Sequence, residues 1–140
     1  MKPKIVIGLL CIATVLAWTS VVGAQTIRAT PKVQLPSGET VWDLSGDWDT
    51  FNENYGTWAR YGTYPNVYRI TQTGSTFSAI RLKNNPPPSV GRAGSPSLQG
   101  ELDTNGLKRV EIVGGAGEIL PCKGQISEDG KKIIVDDGVK

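Results

Sequence analysis

The chain has 140 residues, a formal net charge of +2 and not one histidine. This length suits a single domain with one hydrophobic core. The absence of histidine removes the commonest general base and the commonest metal ligand, and it excludes serine or cysteine triads of the ordinary kind. We therefore expect no catalytic residues, no metal site and no cofactor.

Residues 1–24 have the pattern of a secretory signal peptide. A short basic start precedes an apolar run over residues 5–17, and residues 22–24 are short enough for recognition by a signal peptidase. An uncleaved membrane anchor is the alternative, but polar residues dilute a span that would need about 20 apolar residues. We expect cleavage before Gln25, no membrane span after cleavage, and a secreted or periplasmic protein.

The charge of the remaining chain is balanced. Lys2 and Lys4, both in the predicted signal peptide, account for the whole excess of +2, so residues 25–140 are formally neutral. Because a basic excess is the electrostatic footprint of nucleic-acid binding, we expect no nucleic-acid partner.

Residues 25–41 are polar and contain Pro31 and Pro36, which predicts an extended lead-in, and we place the domain at residues 42–140. No segment of this domain has helical periodicity. Short alternating segments separated by Gly, Asn and Asp are typical of an antiparallel sheet. The predicted strands are residues 44–51, 67–73, 76–82, 98–103, 107–113, 119–127 and 131–136, with a further strand within 56–61.

Turn signals and a weak repeat indicate sequential hairpins. Asn105-Gly106 and Asp129-Gly130 supply residues that accept positive φ, and Thr73-Gly74-Ser75 predicts another tight turn. Residues 100–106 and 124–130 repeat the order glycine, polar, apolar and turn, as expected of a regular meander.

The fold class follows from the number of strands. Seven or eight short strands must bury one face, and closure of the sheet removes its exposed edges. We therefore predict an all-β fold, a small antiparallel up-and-down β-barrel of seven or eight strands. The mid-strand glycines Gly46, Gly100 and Gly124 would allow the tight bends that a small barrel needs.

Residues 84–97 interrupt the rhythm of the strands with Pro86-Pro87-Pro88 and Pro96. This segment is too long for a plain hairpin, and its proline triplet favours polyproline II. A surface loop is the simpler interpretation. The functional interpretation is a lid or a partner-binding loop at a barrel mouth.

Eight aromatic residues crowd the segment from Trp42 to Tyr68. Filling of the core at one end of the barrel is the simpler interpretation, but Tyr and Trp also suit recognition, because they combine an apolar face with a polar edge. Arginine among them can add stacking or bind an anionic group. The candidate ligand-binding residues are Trp58, Arg60, Tyr61, Tyr64 and Tyr68.

The motif Gly46-Asp47-Trp48 resembles the opening of lipocalin and avidin-like barrels, in which a Gly-x-Trp begins the first strand. The resemblance covers residues 44–48 and the meander rhythm. It implies a secreted barrel that binds a small, mostly apolar molecule, with Trp48 packing the barrel floor. The chain has neither the Thr-Asp-Tyr segment nor the terminal helix of lipocalins, and the resemblance assigns no binding residues.

Few other residues suggest chemistry. Asp47 and Asp49 lie on the same face of one strand, which predicts a solvated outer face rather than the opposed carboxylates of a glycosidase. Cys122 is the one cysteine left after cleavage. Its alternation with Leu120 predicts a buried, inert thiol, and an intermolecular disulfide or a reactive thiol is the alternative.

Our leading hypothesis is a non-catalytic secreted or periplasmic β-barrel that binds a small apolar or amphipathic ligand. The alternative is a protein-binding module, such as an inhibitor or an envelope-associated partner, that uses the aromatic segment 55–68 and the proline loop 84–97. An enzyme would have to work with carboxylates, tyrosines or Cys122 alone. Inward orientation of Trp58, Tyr61 and Tyr64 would favour a ligand, and outward orientation would favour a protein partner.

Overall fold

The structure is a computed structural model that describes residues 5–6, 26–27, 30–54 and 56–138. Of the predicted signal peptide, residues 1–24, the structure describes only residues 5–6, which pair with residues 26–27. Within the described ranges, no helix is both long and apolar enough to cross a membrane. The strands are β1 (Ile5–Val6), β2 (Thr26–Ile27), β3 (Lys32–Gln34), β4 (Thr40–Trp42), β5 (Gly46–Asn52), β6 (Tyr64–Thr73), β7 (Thr76–Arg81), β8 (Pro96–Asp103), β9 (Gly106–Val113), β10 (Ile119–Ile126) and β11 (Ile133–Asp136).

Strands β5 to β11 form one seven-stranded antiparallel sheet in which each strand pairs with its neighbours in sequence. The prediction of an all-β, up-and-down antiparallel fold is thereby confirmed. Each of the seven strands predicted between residues 44 and 136 has a counterpart in this sheet. The agreement follows from the alternation of apolar and polar residues, because the concave face of the curled sheet holds the core.

The prediction of a closed barrel is not met, because the sheet is a curled half-barrel. β5 and β11 are its two edges, and no pairing joins them in the described part of the chain. β11 has only four residues, which pair with the last four residues of β10, Lys123–Ile126. The sheet stays open because closure would require the backbones of β5 and β11 to approach to hydrogen-bonding distance, and they are not paired in the described residues.

The further strand predicted within residues 56–61 is also wrong, because Gly56–Tyr61 is a 3-10 helix. Gly56 and Gly62 have φ values of 54° and 67°, in the left-handed region that ends an extended segment. The Gly62 N–H donates to the Ala59 carbonyl at 3.0 Å, which is the i to i+3 pattern of a 3-10 turn.

The predicted lead-in contains the β3–β4 hairpin, which packs beside β8. Val41 in this hairpin and Leu44 directly after it are among the most deeply buried side chains of the described residues. Gln72 holds the hairpin to β6, since its side-chain amide donates to the Trp42 carbonyl at 3.0 Å and accepts from the Leu44 N–H at 2.8 Å. We call this end of the half-barrel the hairpin end.

The opposite end, which we call the loop end, carries the longer connections. These are the 3-10 helix, the loop over residues 82–95 and the turn over residues 114–118. The core lies between the two ends and is built from the inward-facing side chains of the strands. Its buried members are Val41, Leu44, Trp48, Ile70, Phe77, Ala79, Leu98, Leu102 and Val110.

Two of the predicted mid-strand glycines lie where neighbouring strands of the sheet approach closely. A Cβ built on Gly100 would be 2.7 Å from the Phe77 ring, and one on Gly124 would be 2.9 Å from a Val110 methyl group. Both distances are shorter than real Cβ atoms allow. These glycines therefore let inward-facing side chains of adjacent strands fill the core.

Candidate functional site

A cavity of about 1400 Å³ lies on the concave side of the half-barrel, between its two edge strands. Edge residues Trp48 and Val135 line it from β5 and β11, and residues 114–116 line it at the loop end. The wall between the edges is largely apolar, because the strands turn their core-facing side chains toward it. Its apolar members include Ile70, Leu98, Ile112 and Leu120.

Four of the five predicted ligand-binding residues line this cavity: Trp58, Tyr61, Tyr64 and Tyr68. All four side chains are half-buried. Trp58 and Tyr61 are three residues apart in the 3-10 helix, so they share a face, and their rings stack with centroids 5.9 Å apart. Tyr64 and Tyr68 are an even number of residues apart in β6, so they also face the same side.

Arg60 does not line the cavity. It is exposed, its Nη2 donates to the Tyr61 hydroxyl at 2.9 Å, and its guanidinium lies 4.9 Å from the centre of the Tyr61 ring. The structure therefore places Arg60 outside the cavity wall, where its guanidinium contacts the hydroxyl and the ring of Tyr61.

Trp48 is almost fully buried, with 3% of its surface exposed. Its Nε1–H donates to the Leu44 carbonyl at 2.8 Å, and Tyr68 is its direct neighbour across β5 and β6. The indole thus has its polar atom bonded to the hairpin end, while its ring contributes to the cavity wall.

Tyr68 has a perturbed hydroxyl. It donates to the Asn52 side-chain oxygen at 2.9 Å. Burial raises the pKa of Tyr68 above its ordinary value, and the nearby positive charge of Arg81 opposes part of that rise. The phenol is therefore neutral at physiological pH and contributes a fixed hydrogen-bonding group to the wall.

Arg81 is a buried cation in the cavity wall that the sequence reasoning missed. It is 3% exposed and is the direct neighbour of Tyr68 across β6 and β7. Its Nη1 donates to the Ser95 hydroxyl at 2.8 Å and to the Pro96 carbonyl, and its Nη2 donates to the Val113 carbonyl at 2.5 Å. The sequence did indicate its burial, because Arg81 alternates with Phe77 and Ala79 and therefore lies on the buried face of β7.

The proline loop, for which a lid or partner-binding role was the functional interpretation, contributes side chains to the same wall. Asn85, Ser89 and Val90 line the cavity. The Asn85 side-chain oxygen accepts from Asn66 at 3.0 Å, and its Nδ2 donates to Ser89 at 2.9 Å. These bonds fix the Asn85 amide against β6.

Of the residues considered for other chemistry, Asp49 borders the cavity, whereas Asp47 and Cys122 do not. Asp47 forms a bidentate pair with Arg69, and the hydrogen bond from this guanidinium lowers the pKa of the Asp47 carboxyl. Cys122 is half-buried among side chains that pack against the core. Among the described residues, no cluster of three or more His, Cys, Asp or Glu side chains could hold a metal ion.

Comparisons of this chain with protein-family models, with curated proteins and with solved structures found no match.

Proposed function

We propose that this chain is a non-catalytic secreted or periplasmic protein that binds a small apolar or amphipathic molecule in its half-barrel. The observation that carries the proposal is the cavity of about 1400 Å³, which has a largely apolar wall and is lined by six aromatic residues: Trp48, Phe51, Trp58, Tyr61, Tyr64 and Tyr68. Ligand sites in proteins have this character, with apolar and aromatic walls and a few polar groups, and volumes of roughly 300–1,000 Å³ are common.

The orientation of the aromatic residues favours a ligand over a protein partner. Trp58, Tyr61 and Tyr64 line the cavity rather than pointing away from it. The likeness of Gly46-Asp47-Trp48 to the opening of lipocalin and avidin-like barrels supports the same class of function. In this proposal the gap between β5 and β11 is the side on which the ligand meets solvent.

Fluorescence of N-phenyl-1-naphthylamine, a neutral apolar probe, tests the proposal. We expect saturable enhancement with the full chain and about tenfold weaker binding in Ile112→Trp, whose larger side chain would fill the cavity. Ile80→Trp is the matched control, because Ile80 is 37% exposed on the outer face of the same sheet. No saturable enhancement, or equal loss in both variants, would contradict the proposal.

A protein-binding module is the second candidate, and one observation favours it. Phe51 and Val90 are 66% and 62% exposed, and both lie at the border of the cavity. Exposed apolar side chains near aromatic residues are typical of interaction surfaces. If this candidate is right, Phe51→Ser with Val90→Ser abolishes capture of a partner from envelope extract and leaves probe binding unchanged.

A further inference from the structure

We propose that the edge strand β5 pairs with an extended segment of a partner protein that alternates apolar and basic residues and runs antiparallel to β5. We call this segment the partner strand. The inference goes beyond the proposed small-molecule function and does not depend on it. Three observations support it: the open backbone edge of β5, the direction in which both edge strands run, and the different surroundings of the two faces of the gap between them.

The first observation is the backbone of β5 and its neighbour. All seven residues of β5 pair with β6 in continuous register, and no strand of the described residues pairs with the other side of β5. In β6, Val67 turns its C=O toward β7, since it accepts from the Leu82 N–H at 2.8 Å. Backbone groups alternate in direction along a strand, so Asn66 and Tyr68 turn theirs toward β5.

This alternation defines the groups on the open edge of β5. Asp47 and Phe51 lie opposite Arg69 and Pro65, which are two residues from Val67 and share its direction. The N–H and C=O groups of Asp47 and Phe51 therefore point away from β6, toward the gap. Phe51 is 66% exposed, so solvent reaches this edge. A regular, exposed edge strand is a template for pairing with another chain.

The second observation is the direction of the two edge strands. Each strand of the sheet runs opposite to its neighbours, and seven strands leave β5 and β11 running the same way. These two strands therefore cannot pair with each other in the antiparallel manner of the rest of the sheet. A strand antiparallel to β5 is also antiparallel to β11. The partner strand would thus continue the sheet from β5 into the gap as an eighth antiparallel strand.

The third observation is the difference between the two faces of the gap. On the inner face, Trp48 of β5 and Val135 of β11 line the cavity, so apolar side chains of the partner strand would be buried there. Asp49 and Asp136 alternate with these residues on the outer face, and both are exposed. Basic side chains suit that face, because opposite charges on paired strands stabilise the pairing.

Charge also argues against a second copy of the chain as the occupant. The register that pairs all seven residues of β5 with a second β5 places Asp49 opposite Asp49. Like charges that lie directly opposite each other destabilise a pair of strands. A basic residue at the same position has the opposite effect, so the acidic edge favours a basic partner over self-association.

Binding of synthetic peptides to the full chain tests the inference, with fluorescence anisotropy of a fluorescein label as the signal. The first peptide alternates lysine and valine over seven residues, the length of β5. We expect saturable binding, and at least about tenfold weaker binding of a matched peptide in which glutamate replaces lysine. Equal binding of the two peptides, or no binding of either, would overturn the inference. Neither result would alter the binding of N-phenyl-1-naphthylamine, which tests the proposed function separately.

Methylation of the peptide backbone separates strand pairing from attraction between charges. In the proposed pairing, the lysines share the outer face with Asp47 and Phe51 and turn their N–H groups toward β5, whereas the valines turn theirs away. We therefore expect N-methylation of the lysine backbone to weaken binding at least about tenfold, and N-methylation of the valine backbone to weaken it less. Equal effects of the two modifications would contradict pairing with β5.

Variants of β5 locate the site. Phe51→Pro removes an N–H that points into the gap but no bond to β6, so the sheet should keep its own pairing. We expect at least about tenfold weaker binding of the lysine–valine peptide to Phe51→Pro than to Phe51→Ala, which removes the same ring. Equal binding by these two variants would contradict the inference. Far-UV circular dichroism checks that both are folded.

Two further measurements test the charge and the nature of the occupant. Asp49→Lys should reduce the preference for lysine over glutamate to less than about twofold, because it removes the negative charge at the centre of β5. A full preference in this variant would contradict the role of the acidic edge. Analytical ultracentrifugation of the unaltered chain should show a monomer. A dimer that Phe51→Pro dissociates would identify a second copy as the occupant and overturn the inference.

Discussion

The indole ring of Trp42 packs directly on Gly130. A Cβ built on Gly130 would lie 2.9 Å from a carbon of the ring, and the Thr30 hydroxyl donates to the Gly130 carbonyl. Lys32 lies on the ring as well, with its ammonium 4.6 Å from the ring centre. Thr30 of the lead-in and Trp42 of the β3–β4 hairpin thus hold the turn between β10 and β11 at the hairpin end.

This contact predicts a large effect of a small substitution. Gly130 has a φ of 66°, so Gly130→Ala combines backbone strain with a clash against Trp42. We expect a loss of about 2–4 kcal/mol in the free energy of unfolding, measured by urea denaturation. Gly74→Ala is the matched control: its φ is 61° but nothing lies within 4 Å, so strain alone should cost about 1 kcal/mol. Equal losses in the two variants would show that the ring contact contributes nothing.

The side chain of Gln72 is expected to stabilise the hairpin end. Gln72→Ala would remove the partners of the Leu44 N–H and the Trp42 carbonyl, and unpaired buried groups cost about 1–3 kcal/mol each. We expect a loss in this range by thermal or urea unfolding. The neighbouring Thr71 is exposed, so Thr71→Ala should change the free energy of unfolding by about 0.5 kcal/mol or less. A Gln72→Ala variant as stable as Thr71→Ala would refute the bridging role.

Tyr68 should lose its hydroxyl proton at a higher pH than an ordinary tyrosine does. Because burial raises its pKa, we expect a phenolate absorbance component that appears above the ordinary value of about 10 and that is missing in Tyr68→Phe. The folded chain holds this proton more tightly than the unfolded chain does. The corresponding stability is therefore present below pH of about 10 and is lost as the pH rises through the folded-state pKa. Identical titration curves for the two proteins would contradict the assignment.

Cys122 should react slowly with thiol reagents. Burial raises its pKa, and only the thiolate is the nucleophile, so each unit of increase lowers the reactive fraction about tenfold. We expect modification by Ellman's reagent at pH 8 to be on the order of tenfold slower in the folded chain than in urea. Equal rates in the two conditions would indicate an accessible thiol instead.

The strands were predictable because their alternation is local. Within each strand, the alternation of apolar and polar residues indicates which side chains face the core, and residues such as Gly106 and Gly130 indicate the turns. The 3-10 helix was missed, although the spacing of three residues between Trp58 and Tyr61 places them on one face of a 3-10 helix and on opposite faces of a strand. Whether the sheet closes depends on how closely β5 and β11 approach, and local alternation carries no information on this distance between residues far apart in the chain. The start of β11 was predicted two residues too early.

The aromatic part of the cavity wall was predictable from its crowding in the sequence, but Arg81 was not. An arginine in a strand is usually assigned to the solvent face, and only its alternation with Phe77 and Ala79 indicates otherwise. The guanidinium packs against Gly91, which lies ten residues further along the chain in the loop after β7. Such a relationship exists only in the folded chain.

Native mass spectrometry tests the central claim most directly. The full chain, with its predicted signal peptide, would be expressed and purified without denaturation, then measured before and after extraction with organic solvent. We predict an added mass that the solvent removes and that belongs to a small apolar or amphipathic molecule. A bare chain that also gains no mass after incubation with N-phenyl-1-naphthylamine would contradict the account.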